Sequence, residues 1–300
     1  MPPAVAIDYR VTDRARSWRC GPTQIDLTLP RVMGIVNVTR DSFSDGGRFF
    51  EHGRALAHAH ALIEEGADML DIGGESTRPG APEVAEEEEL RRVIPLIKAL
   101  ADCGVPLSID TSKAQVMRAA LDAGVTIVND VRALREPGAL DVVAAADCGV
   151  VLMHMQGLPR TMQQAPIYAD VVAEVARFLR EKMQEAIDAG IAAERIVLDP
   201  GFGFGKSAAH NLTLLANLDR LALPAPLLVG WSRKATLGQI TGRNVDERVH
   251  ASVAAAVLAV ERGAAIVRVH DVAATCDALR VVQAVREHAQ HKGQRPGGQG

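Results

Sequence analysis

Short polar clusters recur along the chain, each directly after a short apolar run, and they hold most of its candidate chemistry. They contain Asn37, Asp71 through Arg78, Asp110-Thr111-Ser112-Lys113, Asn129-Asp130, Met153-His154, Asp199 through Lys206, Ser232-Arg233-Lys234 and Arg268-Val269-His270-Asp271. A serine or aspartate in front of a helix has a plain structural use as an N-cap, and Ser112, Ser207 and Asp271 are expected to serve that way. Arg78, Lys234 and Arg268 have no such use. Cations placed where helix N-termini are already positive imply an anionic ligand, most simply phosphate or pyrophosphate.

Asp110, Asn129 and Asp199 offer acceptors instead. They suit a flat heterocycle carrying several N–H donors, such as a pterin or guanine-like ring. The same oxygens could equally form a divalent-metal cage, and spacing does not separate the two because the residues come from different segments. Gly201 through Lys206 (GFGFGK) resembles a phosphate-binding glycine loop but has neither the G-x-x-x-x-G-K-[ST] spacing nor a Rossmann context. Its glycines are expected to turn the chain tightly, with Phe204 over a substrate. The acidic run of residues 86–89 reads as the solvated first turn of a helix. His52, His58 and His60 read as surface residues.

Eight apolar segments must position these clusters: residues 32–38, 69–72, 107–109, 127–128, 150–153, 196–198, 227–229 and 266–269. They are β-branched or Leu-rich and read as strands buried on both faces. Between them, residues 53–65, 86–101, 170–189, 246–262 and 275–288 show helical spacing of apolar side chains. Gly66, Gly104, Gly124, Gly149, Gly190 and Gly263 each follow a helix and are expected to close it. Strands alternating with helices imply a parallel sheet. Eight of them in a chain of this size fit a single α/β domain, a (β/α)8 TIM barrel with its active site at the C-terminal ends of the strands. An open doubly wound sheet is the structural rival. Residues 1–25 are expected to form an N-terminal extension largely outside the barrel, 26–290 the barrel, and 291–300 a disordered tail.

Composition excludes several classes. A net charge of -4 and 3% aromatic residues speak against a nucleic-acid partner. No run approaches the roughly 20 apolar residues of a membrane span, and the N-terminus lacks a signal-peptide core. Four scattered cysteines without a C-x-x-C pair fit a reduced, cytoplasmic location.

The segments MGIVNVTRDSFSDGG, DIGGESTRPGA, SIDTSK, IVNDV, LMHMQG, LDPGFGFGK, GWSRK and IVRVHD occur in order. Together they resemble the dihydropteroate synthases, the folate-pathway enzymes targeted by sulfonamides, from about Val32 to Glu287. Arg40 stands where that family usually has proline. The resemblance implies a transferase that condenses 6-hydroxymethyl-7,8-dihydropterin diphosphate with 4-aminobenzoate, giving dihydropteroate and pyrophosphate by dissociative loss of pyrophosphate. It implies Mg2+ with Asn37 as its protein ligand, and a pyrophosphate site of Asn37, Thr77, Arg78, Arg268 and His270. Asp110, Asn129, Met153, Asp199 and Lys234 would hold the pterin. Phe43, Asp45, Thr77, Pro79, Phe204, Ser232 and Lys234 would shape the aminobenzoate pocket. Asp110, Lys234, Arg268 and His270 would carry the catalysis, with loops 39–50 and 73–83 closing over them. A homodimer through the outer helices is implied as well. Two rivals are a pterin-binding methyltransferase-like barrel and a non-catalytic synthase paralogue. The T-R-P-G, S-R-K and R-V-H-D clusters argue against the first, and the presence of Arg78, Lys234 and His270 against the second.

Overall fold

A computed structural model of the chain describes residues 16–38, 48–76, 81–157, 162 and 166–293. Eight parallel strands run in chain order around one sheet: β3 (Arg31–Asn37), β4 (Met69–Gly73), β5 (Leu107–Asp110), β6 (Ile127–Asp130), β7 (Gly149–Met153), β8 (Ile196–Asp199), β9 (Leu228–Val229) and β10 (Ile266–Val269). β10 pairs with both β3 and β9, and a bridge between Leu198 and Leu227 joins β8 to β9 and closes the ring. Every strand expected from sequence is present, and the sheet is a barrel rather than an open one.

Helices follow the strands: α1 (Arg48–Glu64), α2 (Glu86–Ala99), α3 (Ala114–Asp122), α4 (Ala139–Ala145), α5 (Val171–Asp188), α6 (Ala208–Ala216), α7 (Ala235–Thr241), α8 (Val249–Glu261) and α9 (Val272–Gly293). Helix α1 begins at Arg48, so the last residues of the expected first loop are helical. Among the described residues no helix is long and apolar enough to cross a membrane.

The period-two geometry of strands sorts each one into outward and inward residues. Outward side chains such as Leu70, Ile72, Ile109, Val128, Val150, Leu198 and Val267 form the main core against the helices. Inward side chains form two layers. The lower one is apolar: Met33, Met69, Ile127, Val151, Val197, Leu228 and Ile266. Two residues further along the same faces come Asp71, Asn129, Met153, Asp199 and Arg268. On β4, β6, β8 and β10 one change of residue type thus converts a hydrophobic plug into a polar floor for a site, with Met153 of β7 its apolar edge.

The N-terminal expectation needs correction. Residues 17–26 are not an appendage but an antiparallel hairpin, β1 (Ser17–Cys20) and β2 (Thr23–Asp26), that stoppers the barrel from below. Trp18 and Cys20 from one strand, with Ile25 and Leu27 at the end of the other, join the lower inward layer. Trp18 is fully buried, and its indole N–H donates to the Arg195 carbonyl at 2.8 Å. Gly149 does not close a helix; it is a strand residue that makes room for the stopper. A Cβ there would lie 2.9 Å from Trp18 Cε2 and 2.5 Å from Cys20 Sγ. The other five glycines of that set have the positive φ expected of helix ends. Residues 1–15 and 294–300 lie outside the described residues.

Candidate active site

The strand register brings the expected side chains to the C-terminal face. Gly73 stands opposite Asp110, Asp110 opposite Asn129, and Met153 opposite Asp199. Arg268 crosses the mouth from β10. Its Nε donates to Asp71 Oδ2 at 2.6 Å and its Nη2 to Asp110 Oδ2 at 2.8 Å. Asn129 Nδ2 donates to the same Asp71 oxygen at 2.9 Å. Asp71, fully buried, is therefore the hub of the cluster, although sequence reasoning gave it no role. Its other oxygen, Oδ1, is buried and makes no hydrogen bond to a described residue.

One cation shared by two buried carboxylates sets the electrostatics. Burial lifts the Asp110 carboxyl to about 7, with Arg268 opposing the rise and Asp71 adding to it. Asp199 is also raised by burial, held back by Lys234 and by the Gly201 N–H, which donates to it at 2.7 Å. Burial pulls Lys234 down to about 8, and Asp199 resists. Lys234 Nζ donates to the Phe202 carbonyl and lies 4.8 Å from the centre of the Phe204 ring. Phe204 packs with Val131, Met153, Met155 and Met162 as an apolar wall beside this charge.

Two cross-links join the exits of β9 and β10. Ser232 Oγ accepts from the His270 backbone N–H at 3.1 Å and contacts His270 Nδ1 at 3.0 Å. Arg233 forms a two-pronged pair with Asp271, at 3.1 Å from Nε and 2.6 Å from Nη2. Arg233 adopts a left-handed φ of 58°, unusual for a non-glycine residue, and its N–H is held by Ser252 Oγ at 2.9 Å. Asp271 thus serves a pairing role rather than the expected cap. Ser112 bonds to Asp130 at 2.5 Å and likewise is not a cap, whereas Ser207 does cap α6.

Glu89 is a second departure. The acidic run does open α2, but Glu89 is buried, not solvated, and ion-pairs with Lys113 at 2.5 Å. Lys113 also binds Glu75 at the start of the second loop. Burial pulls the Lys113 ammonium down, and its bonds to Glu75 and Glu89 more than offset that, leaving it raised. Gly74 packs on α2, where a Cβ would meet Val93 Cγ1 at 2.8 Å, so this end of the loop is anchored. Beside it a cavity of about 520 Å³ opens from Asp110 and Thr111 toward Lys113 and Arg132. Arg40, Phe43, Asp45, Thr77, Arg78 and Pro79 lie outside the described residues.

The metal-cage alternative finds no support in this arrangement. Asp110 is engaged by Arg268 and Asn129 by Asp71, and among the described residues no three His, Cys, Asp or Glu side chains gather in metal-binding geometry. Asn37 sits half-buried at the end of β3, its Oδ1 facing Gly73 where even a Cβ would stand 3.6 Å away.

An eight-stranded barrel whose mouth gathers buried carboxylates, an amide, an arginine and a lysine beside an apolar wall defines a class. Residues 33–270 match the family model of pterin binding enzymes. Within that class the similarity is narrower. The dihydropteroate synthase of Neisseria meningitidis serogroup B is 55% identical over 276 residues, covering 89% of this chain and 97% of that protein. The Xanthomonas albilineans dihydropteroate synthase, solved with 4-aminobenzoic acid, superposes with a TM-score of 0.86 at 57% identity, covering 91% of this chain and 98% of that one. The Burkholderia cenocepacia dihydropteroate synthase, solved with 7,8-dihydropteroate, gives 0.85 at 52% identity, covering 92% and 98%. The chain belongs to the dihydropteroate synthase family of pterin-binding barrels, and its activity is that of a dihydropteroate synthase, a transferase of folate biosynthesis.

Proposed function

We propose that the mouth of this barrel divides into three subsites. The observation that carries this is Arg268, held by Asp71 and Asp110 in the midst of Asn129, Asp199 and Lys234. Asp110, Asn129 and Asp199 face the pterin ring as acceptors for its N–H groups, and Met153 packs on its face. Arg268 and His270, with Thr77 and Arg78 of the second loop, bind the diphosphate. Phe204, Ser232, Pro79 and Lys234 shape the aminobenzoate pocket, closed by Phe43 and Asp45. On this reading the bond between the C9 methylene and the diphosphate oxygen breaks first, the electron pair leaving with pyrophosphate. Arg268 and His270 stabilise the departing anion. Asp110 stabilises the cation spread over the pterin, and the aminobenzoate amine attacks the methylene and then loses a proton.

The protein side of the site suits Mg2+ carried on the diphosphate rather than caged by protein. Mg2+ keeps several waters and binds substrate phosphates, so it needs few protein ligands, and the Asn37 side-chain oxygen would be one. Bound there, Mg2+ would neutralise charge on the leaving group. A homodimer through the outer helices belongs to the proposal by likeness to the dihydropteroate synthases, and Leu212 on α6, Ile240 on α7 and Leu258 on α8 are exposed apolar side chains on those helices. A cytoplasmic location and competition between sulfonamides and aminobenzoate complete the proposal.

Pyrophosphate release by the purified protein tests it. Sustained, multiple-turnover release should require both the pterin diphosphate and 4-aminobenzoate, since the amine must consume the cation before the site can turn over, and it should stop on chelation of divalent cations and return with Mg2+. Sustained release that ignores aminobenzoate or survives chelation overturns the assignment.

A further inference from the structure

Lys206 takes no part in that chemistry, yet it is one of the most deeply buried side chains of the molecule, 2% exposed. Its Nζ lies 2.8 Å from His154 Nδ1, 2.8 Å from the Gly201 carbonyl, 3.1 Å from the Phe204 carbonyl and 3.5 Å from the His154 carbonyl. An ammonium is costly to bury unless its donors are satisfied, and here acceptors from two strand exits converge on it. Burial holds it well below the ordinary lysine range, with Asp199 resisting. Burial and the Lys206 charge push His154 down to about 2, which keeps its imidazole neutral and able to accept.

The loop that Lys206 ties is tight. Gly201 has φ +68°, and a Cβ there would stand 1.9 Å from the His154 carbonyl oxygen; Gly205 has φ +60°, with the Gln156 carbonyl oxygen 2.4 Å away. Further ties come from outside. Tyr168 Oη donates to the Gly205 carbonyl at 2.7 Å, and Gly203 N–H donates to Asn211 Oδ1 at 2.8 Å. Asn211 Nδ2 donates in turn to Thr236 Oγ1 at 3.1 Å, two residues beyond Lys234. On the site side the same loop offers Lys234 its Phe202 carbonyl and its Phe204 ring.

We propose that Lys206 is a positioning residue for the aminobenzoate subsite: it pins the 201–205 loop to His154, fixing the Phe202 carbonyl and the Phe204 ring around Lys234. This rests on the assignment of Phe204 and Lys234 to that subsite. Of the pterin-facing residues, Asp110 and Asn129 sit on strands the loop does not hold, and Asp199, which accepts from the loop's Gly201 N–H, is itself fixed in β8 beside Met153, so loosening the loop weighs on aminobenzoate before pterin.

Steady-state kinetics of Lys206→Met, Tyr168→Phe and Phe204→Ala decide it. Lys206→Met should raise KM for aminobenzoate roughly tenfold while KM for the pterin diphosphate stays within about twofold. A merely structural role would lower the active fraction, reducing kcat with both KM values unmoved, and that result overturns the proposal. If Lys206→Met does not fold, judged by circular dichroism, Tyr168→Phe decides: it removes one tie at the loop's rim and should raise the aminobenzoate KM about twofold or more. No change there overturns the proposal. Phe204→Ala separates the two levels. An unmoved aminobenzoate KM in that variant sinks the subsite assignment and this proposal with it. A raised KM in Phe204→Ala, with Lys206→Met unmoved, sinks the proposal alone.

Discussion

Lys234 shows how much of a residue's behaviour its neighbours determine. Its ordinary ammonium would stay charged far above neutrality, but burial brings it to about 8 against the pull of Asp199. If the charged form binds substrate, kcat/KM falls as pH rises through about 8. Lys234→Arg keeps the charge at any working pH, so its residual activity should lack that alkaline limb. An unchanged limb in this variant would assign the titration to another group. The sequence marked Lys234, Arg268, Asp110 and Asn129 because charge at a strand end is costly without a ligand. It gave Asp71 no task, since a hub is defined by what reaches it, and Arg268 and Asn129 arrive from distant segments. Glu89 was more accessible: it lies four, seven and eight residues before the buried Val93, Leu96 and Ile97, on the apolar stripe of α2. Its neighbours in the acidic run concealed a carboxylate whose partner, Lys113, lies on another loop.

At the scale of elements, the eight strands were legible because each is buried on both faces and followed by polar residues. The stoppering hairpin was not, because its strands are buried on one face only and so present no continuous apolar run. Its alternation of Trp18 and Cys20, then Ile25 and Leu27, flanks a Gly21-Pro22 turn, but nothing local says that these side chains enter a barrel. The hairpin is a stability element at the end opposite the site. Trp18→Ala should cost about 3–5 kcal/mol through the cavity it leaves. Trp18→Phe, which chiefly loses the bond to the Arg195 carbonyl, should cost on the order of 1–2 kcal/mol. Urea unfolding measures both, and kcat/KM of the folded variants should stay within about twofold of wild type. A large loss of kcat/KM in folded Trp18→Ala would mean that floor and site are coupled.

Over the whole molecule the two inward layers oppose each other: the lower stabilises the barrel, and the upper costs it stability for the sake of binding. Asp110 makes that opposition measurable. Its carboxyl titrates at about 7 when folded against 3.8 in its ordinary state. The unfolded chain therefore releases this proton first as pH rises, and the folded state loses stability between about pH 4 and pH 7, on the order of 4 kcal/mol. Asp110→Asn has no such titration, while its amide oxygen can still accept from Arg268. The Tm of Asp110→Asn relative to wild type, without ligands, should climb by about 5 °C or more between pH 4.5 and pH 8 and level off above that. Groups that do not interact with Asp110, His154 included, titrate in both proteins and cancel in the difference. The same variant should bind a pterin analogue far more weakly at pH 8, by calorimetry, since the ring loses its charged acceptor. Parallel Tm curves would show that Asp110 is not the group bearing the cost. A rising difference with pterin binding intact would show that the cost is borne for something other than the pterin.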